Sequence, residues 1–187
     1  MKRFFFLIFP ILFVTNQCYI LYPSYPKQSN IPAMEKTIDE PLAYNLPNFP
    51  RMNLGGRDAL KEYFDFKTAF KNVKENNVVP ANGYLVDVKV DWESPSNVAV
   101  GFLALSTITL TLLPAWSQEE GYSVRYILYK SGAEPKTFKY RIYRNYYQFF
   151  FLLPFVPLNL ETSTEREVFQ KLTEKFFSDA VEAKAFN

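Results

Sequence analysis

Apolar and polar positions alternate with a period of two over residues 84–92: Leu85, Asp87, Lys89 and Asp91 fall on one side, Val86, Val88, Val90 and Trp92 on the other. That spacing predicts a half-buried strand. Residues 122–130 and 136–147 predict two further strands, and Ser131-Gly132-Ala133-Glu134 between them supplies the turn of a hairpin. A helical interval governs residues 53–70. There Ala59, Leu60, Tyr63, Phe64 and Lys67 share one face, Arg57, Asp58, Lys61 and Glu62 lie opposite, and Asn53 or Gly55-Gly56 precede as cap material. No Gly-Lys-Ser or Gly-Lys-Thr follows the glycine pair, so it starts a helix rather than cradling phosphate. Near the C-terminus Val168, Phe169, Leu172, Phe176 and Ala180 form a second helical stripe. Thr162 with Glu165, and Thr164 with Glu167, each fit a capping box ahead of it. These elements predict an α+β domain: an antiparallel sheet of about four to five strands with two amphipathic helices packed on it.

Two stretches break the pattern because they carry no charge. Residues 94–118 are uncharged, and 98–113 within them are strongly apolar; residues 145–160 are also uncharged and hold Phe149-Phe150-Phe151-Leu152-Leu153-Pro154-Phe155-Val156-Pro157-Leu158. Three readings stand side by side. The first makes 98–113 a fully buried strand or strand pair, favoured by alternating Thr107, Thr109 and Thr111, with the second stretch a Pro-bounded loop over the core. The second lets one or both dip into a membrane, with Phe102, Leu105, Phe149, Phe150, Phe151 and Phe155 as contacts. Interleaving of Arg125, Lys130, Lys136, Lys139, Arg141 and Arg144 with Tyr122, Tyr126, Tyr129, Tyr140, Tyr143, Tyr146 and Tyr147 supports it, since both residue types suit the headgroup region. The third is a greasy groove for a lipid or a partner protein.

The N-terminus has the pattern of an export signal. Lys2 and Arg3 precede an apolar run of eleven residues, 4–14, interrupted only by Pro10 and too short for an ordinary membrane span. The run ends at Val14-Thr15-Asn16-Gln17-Cys18, which resembles a bacterial lipobox, although Thr15, Asn16 and Gln17 stand where that motif has Leu, Ala or Ser, and Gly or Ala. The resemblance implies that Cys18 is the first mature residue and carries thioether-linked lipid. An uncleaved anchor over residues 4–22 is the alternative, and both readings end at a membrane. Tyr19, rather than Asp, follows the cysteine, which by the sorting rule of enteric bacteria implies the outer membrane. Pro23, Pro26, Pro32, Pro41, Pro47 and Pro50 oppose helix and central strand. The organisation read from the sequence is thus a signal peptide at 1–17, a lipidated cysteine with a Pro-rich tether at 18–52, and a single α+β domain at 53–187. The segment Leu105-Ser106-Thr107-Ile108-Thr109-Leu110-Thr111-Leu112-Leu113-Pro114, followed by a Tyr-rich hairpin and a second apolar stretch, is similar to uncharacterised bacterial envelope lipoproteins over residues 53–175. That resemblance implies no activity.

Composition narrows the chemistry. The chain has 187 residues, 48% of them hydrophobic and 18% aromatic, ample for a packed core. Removing Lys2 and Arg3 with the leader leaves 19 basic against 19 acidic side chains, so nothing favours nucleic acid. There is no histidine and Cys18 is the only cysteine, which removes the commonest general base, any internal disulfide and most zinc chemistry. No nucleophile elbow is present. Asp87 and Asp91 form a carboxylate pair, but with Lys89 between them they read as a compensating charge ladder. The sequence therefore nominates no catalytic residue, metal or cofactor. It points to an envelope lipoprotein with a structural or binding role and an envelope protein as a candidate partner. The alternative is a lipid- or substrate-handling accessory of an envelope transport system.

Overall fold

The computed structural model describes residues 18–25, 27, 33–48, 55–149, 151–152 and 162–186. The chain divides into two compact units, a larger one built from Lys27–Trp92, Tyr122–Ile142 and Thr164–Asn187, and a smaller one built from Met1–Pro26, Glu93–Gly121 and Tyr143–Ser163. Strands β5 (Ala115–Lys130) and β6 (Lys136–Gln148) contribute residues to both.

In the larger unit a sheet runs in the order β6-β5-β4-β2-β3, where β2 is Leu42–Asn45, β3 is Val73–Glu75 and β4 is Tyr84–Glu93. β2 pairs in parallel with both β3 and β4, Leu42 lying opposite Val73 on one side and Tyr84 on the other. This corrects the expectation of an antiparallel sheet of four to five strands with two helices. The sheet is mixed, and the described residues form six strands, an isolated parallel Ile38–Phe70 bridge and three α-helices. The physical reason lies in β2. It comes from the stretch read as a tether, flanked by Pro41 and Pro47, and its buried Leu42, Ala43 and Tyr44 show no alternation. Parallel partners need a long crossover rather than a hairpin, and here the chain between β2 and β3 holds a helix, α1 (Gly56–Glu62). Pro41 costs the ladder nothing, because its carbonyl accepts from Tyr84 N at 2.9 Å.

α1 runs into one widened turn, Tyr63–Lys67, that keeps Tyr63 and Phe64 both buried. The C-terminal helix, α3 (Glu165–Glu182), lies among the same apolar residues as the sequence stripe requires: Val168, Phe169, Leu172, Phe176 and Ala180 are all fully buried. Phe176 stacks on Tyr126 with ring centroids 4.4 Å apart, and Phe177, outside the predicted stripe, meets Tyr63, Phe64 and Phe70. Of the two capping boxes, Thr164 with Glu167 forms. Glu165 instead turns inward and accepts from Gly56 N at 3.2 Å and Tyr122 Oη at 2.8 Å. The N-cap of α1, Gly55, has no side chain, so a carboxylate 109 residues away meets one of that helix's orphan donors.

The smaller unit contains β1 (Cys18–Leu21), antiparallel to the end of β6, and the helix α2 (Asn97–Ile108). Residues 98–113 are therefore not a buried strand. Ser96 accepts from Ala99 N as an N-cap behind Pro95, and the threonines that resemble strand alternation instead turn their hydroxyls back on the helix: Thr107 donates to Leu103 O, and Thr109 to Leu105 O.

Candidate functional site: an apolar surface and its hollow

Within α2 only Ser106 is buried; Leu103 and Ala99, one and two turns before it, are half-buried and complete a narrow inward strip. The rest of the helix faces outward, including Val98, Val100, Phe102 (57% exposed), Leu105 and Ile108 (78% exposed). A helix apolar on every side is ordinarily covered by protein or lipid, yet among the described residues most of this one's side chains remain exposed.

The turn that follows extends the surface. Leu110 and Thr111 both hold positive φ, 52° and 63°, which costs a non-glycine residue on the order of 1–2 kcal/mol each. Thr111 N donates to Ser106 O at 2.7 Å, and Ser106 Oγ donates to Leu113 O at 2.6 Å. The strained turn is thereby fixed with Leu110, Leu112 and Leu113 exposed. Thr111 Oγ1 donates to Leu110 O, so each of the four hydroxyls between residues 106 and 111 bonds to a carbonyl of its own segment.

The first residue of β1 lies close to this helix. Cys18 is the register partner of Gln148, and Gln148 Nε2 donates to Thr107 Oγ1 at 3.3 Å. Thr162 Oγ1 donates to Ile20 O on the same strand. Just past β6, Phe149 and Phe151 have ring centroids 5.2 Å apart, and Phe151 is 65% exposed. Of the residues singled out by sequence, Phe102, Leu105 and Phe151 are thus exposed in the unit that holds Cys18, and Phe149 is half-buried. Phe150, Phe155 and the leader lie outside the described residues.

The start of α2 and the start of β5 border an open hollow of about 280 Å³, lined by Val98, Phe102, Trp116, Ser96, Ser117 and Gln118 among others. Ser117 was not singled out by sequence, although the alternation of buried Ala115 and Ser117 with exposed Trp116 and Gln118 marks the strand start. Its Oγ is buried and, among the described residues, has no hydrogen-bond partner. None of the described residues bordering the hollow is charged.

No protein-family model matches this chain, and no curated protein matches it. Among solved structures it is similar to a minor lipoprotein from Acinetobacter baumannii, at 14% identity and a TM-score of 0.38 over 82% of this chain and 96% of that one. A superposition that loose bears on neither fold nor role.

Some of the interleaved Tyr and Lys/Arg side chains on the hairpin serve packing and pairing, while Lys139, Arg141 and Tyr143 are exposed. Tyr122 and Tyr126 are buried in the larger unit; Arg125 pairs with Asp91 at 2.8 Å; Lys136 donates to the carbonyls of Ala183 and Lys184, just past the end of α3. Arg144 is buried in the smaller unit against Glu120 at 2.6 Å. Asp87 accepts from Asn45 and lies 3.7 Å from Lys89, as a charge ladder would have it. No group of three or more acidic or cysteine side chains among the described residues is placed to hold a metal ion.

Proposed function

We propose that this protein is a cell-envelope lipoprotein with a structural or binding role, held at a membrane by lipid on Cys18 and lying against that membrane through residues 97–116. One observation carries the reading. The cysteine that ends the leader and an uncharged helix with outward apolar side chains and inward-bonded hydroxyls occur at one place in one compact unit. Water satisfies a stray hydroxyl, whereas hydrocarbon leaves it unmet at a cost of several kcal/mol, so internal pairing is what entry into lipid demands.

The dimensions suit an interfacial helix. Twelve residues rise about 18 Å at about 1.5 Å each, short of a hydrocarbon core about 30 Å thick. No helix among the described residues is long and apolar enough to cross a membrane. Fully burying a Leu, Ile, Val or Phe side chain is worth roughly 1.5–3 kcal/mol. Transferring the exposed parts of Val98, Phe102, Leu105, Ile108 and Leu112 then contributes on the order of 5 kcal/mol. A single acyl chain gives a comparable, reversible affinity, and two such attachments together give a firm one. Tyr19 after Cys18 supports the outer membrane as the address.

The test uses the full-length chain expressed in a bacterium. The native protein should float with membranes, leave them only in detergent, and yield an N-terminal peptide beginning at Cys18 with lipid mass. Cys18→Ala should lose that mass and be partly released; adding Ile108→Glu and Leu112→Glu should make it freely soluble. Membrane retention and N-terminal mass unchanged by Cys18→Ala would overturn the proposal in favour of an uncleaved anchor.

A further inference from the structure

Charge is missing from the outward surface of α2 and from the chain on either side of it. Residues 94–118 hold no charged side chain, and α2, the turn after it and Trp116 all fall within them. Beyond the leader, the segments of the smaller unit contain Arg144 as their one basic residue, against the carboxylates of Glu93, Glu119, Glu120 and Glu161. Arg144 is 3% exposed and pairs with Glu120 at 2.6 Å, so its charge is met inside the unit. We propose that the lipid surface taken by this unit is an electrically neutral monolayer of zwitterionic phospholipid, engaged through apolar contact without ion pairing. The proposal rests on the membrane-docking reading and names the lipid class of that same surface.

A basic side chain beside an anionic monolayer strengthens attachment about fivefold. Residues 94–118 offer none, and Glu93 and Glu119, which bound the stretch in the chain, would meet repulsion there. In a zwitterionic headgroup the phosphate and the ammonium compensate each other, so an uncharged face lying on it forgoes no ion pair. The exposed polar side chains at the two ends of the stretch, Ser96, Asn97 and Gln118, are likewise uncharged and can donate to headgroup oxygens. Trp116, 56% exposed at the start of β5, is of the residue type that settles at headgroup level. The hairpin cations Arg125, Lys130, Lys136, Lys139 and Arg141 belong to the larger unit and are no part of the docking surface.

The experiment reads contact rather than attachment, because lipid on Cys18, or an uncleaved leader, holds the chain on any vesicle. Trp92→Phe keeps an aromatic ring beside Tyr122, now 5.0 Å from Trp92 between centroids, and leaves Trp116 as the single tryptophan. Protein with that change, expressed from the full-length chain, is reconstituted on vesicles of phosphatidylcholine and phosphatidylglycerol, with bromine on the acyl chains of one lipid or the other at equal mole fraction. Both should quench Trp116, phosphatidylcholine at least as strongly, with no change when salt is raised until surface charge is screened. At Gly101 an added Cβ meets nothing within 4 Å, so Gly101→Lys places a cation on the surface without a clash and should shift the preference several-fold toward phosphatidylglycerol at low salt. Stronger quenching by phosphatidylglycerol without that lysine, quenching that falls as salt rises, or a Gly101→Lys chain with no new preference would each overturn the proposal and leave docking intact. No quenching by either lipid on vesicles that carry the protein would sink the docking reading itself, and the proposal with it, and leave α2 to a protein partner.

Discussion

Glu165 carries more of the larger unit than its position on a helix's first turn announces. Its carboxylate is 3% exposed as a residue and accepts from Gly56 N at 3.2 Å and from Tyr122 Oη at 2.8 Å, tying α1 and β5 to the start of α3. Replacing it by alanine leaves a buried backbone N–H and a buried phenol without these acceptors. Hydrogen bonds to a charged group contribute about 1.5–3 kcal/mol each, so losing both predicts a destabilisation of about 3–5 kcal/mol for Glu165→Ala. Glu165→Gln keeps one carbonyl oxygen and should lose about 1–2 kcal/mol, the difference between charged and neutral acceptors. Tyr122→Phe removes donor and demand together and should cost less than Glu165→Ala. Urea unfolding followed by circular dichroism measures all three, with the slope checked for constancy so that midpoints convert to free energies. If Glu165→Ala lies within about 1 kcal/mol of wild type, water reaches the site and the argument from burial is wrong.

Two further perturbations probe the parallel part of the sheet. A Cβ at Gly83 would stand 2.2 Å from Pro41 O, a backbone atom that holds Tyr84 N, so Gly83→Ala must push β2 from β4. It should cost about 1–3 kcal/mol by overpacking in the same unfolding assay, and a neutral result would show that the contact relaxes freely. At Tyr44, burial first and the bond to Asp65 second push the phenol up to about 12 from its ordinary 10. Because the folded value is the higher one, the stabilisation it gives is complete below pH 10 and is lost between pH 10 and about 12. Two units correspond to about 2–3 kcal/mol. Tyr44→Phe should flatten the stability profile across that window in thermal unfolding scans; a slope identical to wild type would refute the assignment.

What the sequence determined is local. Period-two alternation located the core of β4, two runs joined by the turn Ser131-Gly132-Ala133-Glu134 located β5 and β6, a helical stripe located α3, and the absence of charge over residues 94–118 marked the stretch that now bears the exposed Phe102, Leu105 and Ile108. Each of these signals comes from residues close in sequence, where side-chain period follows backbone geometry directly. Tertiary structure decided the rest. Four residues between prolines, Leu42–Asn45, became a strand with two parallel partners because Tyr84 and Val73 were there to pair with it. Nothing in a short Pro-flanked segment announces that. Thr107, Thr109 and Thr111 fit a strand as well as a helix, and only the acceptor carbonyls of Leu103 and Leu105, presented once a helix exists, made the helix the answer. Two capping boxes were equally legible in the sequence; burial against Tyr122 and Gly56 turned Glu165 into a tie between elements and left Glu167 to cap. Ser117 carries no signal in the chain at all, because an unmet hydroxyl is a property of what surrounds it.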